Sequence, residues 1–126
     1  MKIVLDTFAW VEYFTNPKRG KIVEDYLAAN EIFTPEIVLI ELSCKAAREG
    51  WDFDKCLNFI KAKSSIVSFS ETLIKNVGGI YIKLKEKSPN ISLADAIIYT
   101  TTMLCGAMIL TGDKHFKGLE KVLFLE

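Results

Sequence analysis

Two neighbouring segments decide the fold: Ile91–Tyr99, which reads ISLADAIIY, and Met108–Asp113, which reads MILTGD. Ser92 can cap a helix that carries Asp95 in its first turn and continues into an apolar run. Ala107–Leu110 is short, wholly apolar and flanked by glycines, which is typical of a parallel strand covered on both faces. We therefore predict a helix that begins at an acid, followed by a strand that ends at one. In open α/β sheets, ligands bind at this carboxyl edge of the strands.

The composition is that of one globular domain spanning residues 1–126. Half of the 126 residues are hydrophobic and a quarter are charged, which argues against disorder. Sixteen basic and sixteen acidic residues cancel, so binding to nucleic acid through bulk charge is not favoured, although a local basic rim is compatible with neutrality.

The cysteines and the apolar runs indicate a cytoplasmic protein with no membrane association. The three cysteines are odd in number and show no C-x-x-C spacing, which favours buried or half-buried thiols over disulfides or a zinc site. No apolar run reaches transmembrane length, and no signal peptide precedes the first apolar run, Ile3–Leu5.

Short apolar runs alternate with amphipathic helices along the whole chain, and Ile22 and Ile74 are predicted to lie on the apolar stripes of two of these helices. Thr34 and Pro35 are typical of a helix start, as a capping hydroxyl and a proline at the first helical position, and Gly50 is typical of its end. The order predicts an α/β fold with a parallel sheet of about five strands covered by helices on both faces. The predicted strands are 2–5, 32–33, 66–69, 107–110 and 122–125, and the predicted helices are 8–14, 18–30, 35–48, 52–63, 71–87 and the one that Ser92 caps.

Four acids are predicted to meet at one edge of this sheet. Asp6 ends the first strand and Asp113 ends the strand at 108–110, while Asp95 lies in the first turn of the preceding helix. Glu41 interrupts the apolar run Ile37–Leu42, where a lone carboxylate is costly to bury unless it is paired or binds a metal. Each acid also has a purely structural interpretation, because aspartates cap helices and Glu41 can face water.

Four carboxylates from different elements suit magnesium or manganese, which take oxygen ligands and retain several waters. Such an ion can activate a water and stabilise charge on a phosphoryl group. Thr7 and Thr111 add hydroxyls beside two of the acids, and Gly112 permits a close approach of the backbone.

Together these motifs resemble the PIN domain family, and in length and layout the chain is most similar to the VapC-type toxin ribonucleases. The resemblance rests on Asp6 after an apolar strand, Glu41 in IVLIEL, Asp95 in SLADA and Asp113 in LTGD. It implies a three-layer α/β/α fold and a Mg²⁺- or Mn²⁺-dependent endoribonuclease, with these four acids as catalytic metal ligands and Thr111 in support.

The resemblance further implies that cleavage leaves a 5′-phosphate, that the protein is a homodimer, and that a VapB-type antitoxin blocks the site. Similar proteins attack structured RNA such as tRNA or rRNA. One departure is Phe8, because relatives often carry a small polar residue after the Asp-Thr pair.

Four basic residues near these acids in sequence are candidates for contacts with RNA phosphates. The alternative for each is an ordinary solvated side chain. They are Lys45, Arg48, Lys114 and Lys117.

Two other functions fit parts of the pattern. A receiver-like phosphoryl-transfer domain also places aspartates at strand ends, but it usually carries paired acids after its first strand, whereas Asp6 stands alone. A non-catalytic PIN-like module that binds RNA or protein would be expected to lack one or more of the acids. A hydrolase built on His115 is disfavoured because no nucleophile elbow accompanies it.

Overall fold

The computed structural model describes residues 1–126 as five strands and six α-helices, with one 3₁₀ turn at Lys114–Phe116. The predicted elements are all present, and most bounds differ by only one or two residues. The strands are β1 Lys2–Leu5, β2 Glu31–Pro35, β3 Ser65–Val67, β4 Met108–Thr111 and β5 Val122–Phe124, and the helices are α1 Thr7–Thr15, α2 Pro17–Ala29, α3 Glu36–Glu49, α4 Phe53–Lys63, α5 Glu71–Lys87 and α6 Leu93–Leu104.

The five strands form one parallel sheet in the order β3-β2-β1-β4-β5. The chain winds outward from β1 in one direction and from β4 in the other, so the crevice between these two strands is the topological switch point. This order differs from the 2-1-3-4-5 order of receiver domains, in which β1 lies between β2 and β3. The receiver-like alternative is therefore wrong.

Six helices flank the sheet and complete the predicted three-layer α/β/α architecture. The central strands are buried on both faces: Ile3, Val4 and Leu5 in β1 and Ile109 and Leu110 in β4 are all fully inaccessible to solvent. This explains why neither strand shows the alternation of a half-exposed strand. No helix of the structure combines the length and the hydropathy that crossing a bilayer requires.

The predicted capping role of Thr34 is wrong, because Thr34 belongs to β2 and helix α3 has no side-chain cap. Its buried hydroxyl accepts a hydrogen bond from Trp10 Nε1 at 3.1 Å and lies 2.8 Å from Ser64 Oγ. Ser64 Oγ in turn donates to the carbonyl of Ile60 at 2.8 Å. This polar chain satisfies the Trp10 indole inside the core and ties α1, β2 and α4 together.

Two further details differ from the sequence-based expectations, and a third agrees with them. Ile22 and Ile74, predicted on the apolar stripes of α2 and α5, are 41% and 68% exposed. Cys44 is exposed rather than buried, whereas Cys56 and Cys105 are partly buried, and all three thiols are free. Gly50 ends α3 as predicted, in a left-handed conformation with φ of 74° that favours glycine.

Candidate metal centre

An open cavity of about 410 Å³ lies at the carboxyl edge of the sheet, and all four predicted acids line it. They come from four separate elements or their ends: the β1–α1 junction, helix α3, helix α6 and the end of β4. The remaining lining residues are Thr7, Phe8, Val11, Glu12, Lys45 and Ile98.

Asp6 and Asp113 reach this cavity because β1 and β4 are adjacent and in register, with Leu5 opposite Leu110. Each aspartate also caps the helical segment that follows it. Asp6 Oδ1 accepts from Ala9 N at 2.8 Å, and Asp113 Oδ1 accepts from His115 N at 2.9 Å. The capping interpretation is therefore correct, and it does not exclude a second role, because each cap uses one carboxylate oxygen and fixes the direction of the other.

Asp95 forms a reciprocal capping box with Ser92 at the start of α6. Asp95 N donates to Ser92 Oγ at 3.0 Å, and Ser92 N donates to Asp95 Oδ2 at 3.3 Å. Glu41 is half-buried in α3 rather than turned to solvent, and its Oε1 accepts a 2.6 Å hydrogen bond from Thr7 Oγ1. Thr7 thus connects the first turn of α1 to the acid of α3.

Burial and mutual repulsion raise the pKa of three of these acids. Burial raises the pKa of Asp6 from 3.8 to about 7, with additional repulsion from Asp113 and Asp95, although hydrogen bonds from Thr111 and from the Ala9 amide lower it in part. Burial is also the largest cause of the raised pKa values of Glu41 and Asp95, and repulsion from Asp113 adds to both. The four carboxylates therefore share one electrostatic environment.

No lysine or arginine lies within 4 Å of any of these four carboxylates; only His115 approaches Asp95 and Asp113. A fifth acid at the cavity, Glu12, differs in this respect, since Arg19 Nη1 lies 3.3 Å from its Oε1. A buried carboxylate is normally paired with a cation or bound to a metal. The four acids thus gather at one site without a direct ion pair to a lysine or arginine.

Thr111 and Gly112, two residues predicted to assist the acids, each have an identifiable structural role. Thr111 Oγ1 accepts from Asp113 N at 3.0 Å, and the nearby Thr111 hydroxyl partly lowers the pKa of Asp6. Gly112 is needed for a steric reason, because a Cβ there would overlap the ring of Phe8. The present position of the Phe8 ring therefore depends on glycine at 112.

Of the four predicted phosphate contacts, Lys45 alone lines the acidic cavity. Its side chain is 29% exposed and forms an ion pair with Glu49. The other three lie outside the cavity lining and are exposed: Arg48, Lys114 and Lys117.

Two residues at the site were not among the predicted site residues. Glu12 shares one face of α1 with Phe8 and Val11, a spacing of three and four residues that follows from the helix predicted at 8–14. His115 Nδ1 lies 3.3 Å from Asp113 Oδ1 and 3.8 Å from Asp95 Oδ2. In the sequence, the one indication that His115 lies at the site was its position two residues after Asp113.

The sequence model of the PIN domain family matches residues 3–122, and the chain belongs to this family. A chain of VapBC2 from Rickettsia felis, solved bound to a DNA fragment from their promoter, shares the fold with a TM-score of 0.77 at 22% identity, over 98% of this chain and 97% of that one. VapC20 of Mycobacterium tuberculosis, described as a toxin that cleaves the sarcin–ricin loop, gives a TM-score of 0.76 at 16% identity, over 95% and 96%.

A toxin–antitoxin complex from Klebsiella pneumoniae contains a third similar chain, with a TM-score of 0.74 at 17% identity and 98% of both chains covered. Comparison with curated proteins gives no match. At these identities, the three structures establish a common fold.

Proposed function

We propose that this protein is a metal-dependent endoribonuclease and the toxin of a toxin–antitoxin pair. One observation carries the proposal: four carboxylates from four elements surround one cavity without a lysine or arginine partner. Membership of the PIN domain family and the common fold with VapC toxins support it.

The residues present fit a hard divalent cation such as Mg²⁺ or Mn²⁺. Asp6, Glu41, Asp95 and Asp113 supply the carboxylate oxygens that these ions prefer, and an open cavity leaves room for their retained waters. Ligand atoms of Asp95, Asp113 and His115 already lie within 4.8 Å of one another. When bound, such an ion supplies an activated water and neutralises charge on the phosphoryl group.

The protein's own residues then have separate roles in hydrolysis. Thr7 orients Glu41, the amide of Ala9 orients Asp6, and Thr111 holds the backbone at Asp113, so these carboxylates are positioned before substrate binds. Lys45 is placed to contact a phosphate next to the acids. Water adds to phosphorus and the 3′-oxygen leaves, which gives a 5′-phosphate and a 3′-hydroxyl.

The partners proposed follow from the similar structures. VapBC2 and the Klebsiella protein were solved as toxin–antitoxin complexes, and VapC20 is described as cleaving an RNA loop. We infer that this protein acts in the cytoplasm as a homodimer, cleaves structured RNA such as tRNA or rRNA, and is inhibited by a VapB-type antitoxin.

The test is cleavage of end-labelled tRNA and rRNA by purified protein, with Mg²⁺ or Mn²⁺ against EDTA. Asp6→Asn and Asp95→Asn are expected to abolish metal-dependent cleavage while remaining folded. Asp52→Asn is the matched control, because Asp52 also caps a helix but lies outside the cavity. Cleavage that survives both site variants would refute the proposal. Metal binding without any cleavage would favour a non-catalytic PIN-like module that binds RNA or protein.

A further inference from the structure

His115 lies next to Asp113 and Asp95, two of the acids that line the cavity, and two features of the turn after β4 hold it there. Asp113 Oδ1 accepts the backbone N–H of His115 at 2.9 Å, and the next side chain, Phe116, is fully buried in the core. The imidazole is therefore held beside Asp113 and Asp95 rather than left free on the surface. Its side chain is 32% exposed, so solvent reaches part of the ring.

The distances around His115 lie between those of neighbouring and opposite ligands of one metal ion. In octahedral coordination at roughly 2.1–2.2 Å, neighbouring ligand atoms are about 3 Å apart and opposite ones about 4.3 Å apart. His115 Nδ1 lies 3.3 Å from Asp113 Oδ1 and 3.8 Å from Asp95 Oδ2. Both of these oxygens also accept a backbone N–H, from His115 and Ser92, but each carboxylate has further lone pairs that can bind an ion. Small rotations of the side chains would bring all three groups onto one ion.

We propose that His115 Nδ1 is a direct ligand of the ion and makes the site prefer Mn²⁺ to Mg²⁺. Imidazole nitrogen suits first-row transition metals, whereas Mg²⁺ is bound almost entirely by oxygen. An all-carboxylate site would discriminate less between the two ions. This inference rests on the proposed function only in taking the four acids as a metal site; it concerns which atoms bind the ion and which ion is bound.

The competing arrangement is one in which His115 only hydrogen-bonds to Asp113 and orients it from outside the coordination sphere. The two arrangements differ in whether a nitrogen atom touches the ion. His115 is the only histidine of the chain, so any imidazole signal from a bound metal has one possible source once the protein is prepared without a histidine tag.

The deciding experiment is electron spin echo envelope modulation of Mn²⁺ bound to the untagged full-length protein, together with calorimetric Kd values for Mn²⁺ and Mg²⁺. We expect imidazole ¹⁴N modulation in the wild type and none in His115→Gln. We expect the Kd for Mn²⁺ to rise about 10-fold or more in His115→Gln, and the Kd for Mg²⁺ to change less than about threefold.

The outcomes separate this inference from the proposed function. Mn²⁺ that binds with dependence on Asp6 but shows no ¹⁴N modulation would overturn the role of His115 and leave the metal site intact. If neither Mn²⁺ nor Mg²⁺ binds the folded wild type, both this inference and the proposed metal site are overturned. Because the nitrogen signal is read in the wild type, the result does not depend on how well His115→Gln folds.

Discussion

Replacing Asp6 with asparagine is expected to stabilise the metal-free protein at pH 8. Asp6 is only 3% exposed, and burial raises its pKa from 3.8 to about 7. Between about pH 4 and pH 7, the native state therefore keeps a proton that the unfolded chain releases. The free energy of unfolding falls as the pH rises through this range, and the penalty is complete above pH 7.

The size of the effect follows from the separation of the two pKa values. A difference of about 3 corresponds to roughly 4 kcal/mol, which is an upper bound because relaxation and water entry reduce the cost of the charge. Asparagine keeps the size of Asp6 and can still accept the hydrogen bond from Ala9 N. We expect the Asp6→Asn substitution to raise the free energy of unfolding by about 1–3 kcal/mol at pH 8 and by less than half of that at pH 4.5.

Urea unfolding in EDTA at the two pH values measures this difference. Asp52→Asn is the control, because exposed Asp52 caps α4 through Lys55 N at 3.2 Å without lining the cavity, and its stability should change little. Excess Mn²⁺ should make the wild type more stable than Asp6→Asn. A bound ion stabilises the wild type by RT ln(1 + [L]/Kd), where [L] is the free Mn²⁺ concentration, and stabilises the variant much less. A variant that is less stable than the wild type at pH 8 in EDTA would refute the electrostatic reasoning.

Three further predictions concern the residues around the acids. Thr7→Val removes the 2.6 Å hydrogen bond to Glu41 and should lower cleavage about 10- to 100-fold with little change in thermal stability, whereas Thr7→Ser should restore it. Gly112→Ala should cost about 1–3 kcal/mol of stability in urea unfolding, because its Cβ overlaps Phe8, and the added change Phe8→Ala should recover most of the loss. Lys45→Gln should raise KM for RNA. It should also reduce the slope of log binding constant against log salt concentration by about 1, and an unchanged slope would exclude a phosphate contact.

The fold was predictable because the local patterns are strong and agree with one another. Fully apolar runs such as Ile3–Leu5 and Met108–Leu110 indicate strands buried on both faces, and these became the central pair of the sheet. Once two acids follow adjacent parallel strands, their proximity follows from the topology alone. The convergence of Asp6 and Asp113 could therefore be anticipated without coordinates.

What could not be predicted depends on contacts between residues far apart in the sequence. Thr34 has the local features of a helix cap, yet its hydroxyl is used by Trp10, 24 residues away. The partner of Glu41 is Thr7, 34 residues away, and no local pattern connects them. The exposure of Ile74 likewise depends on which face of α5 packs against α6, which periodicity alone does not decide.

The double use of the aspartates as helix caps and cavity acids has a genetic consequence. Asparagine caps a helix about as well as aspartate, and one G-to-A transition converts either aspartate codon into an asparagine codon. At Asp6, Asp95 and Asp113, a single base change thus removes the charge while the helix start it supports is retained. Under the proposed function, each of these three base changes would silence the nuclease while keeping the helix start, so the inactive protein would keep its surface for binding an antitoxin.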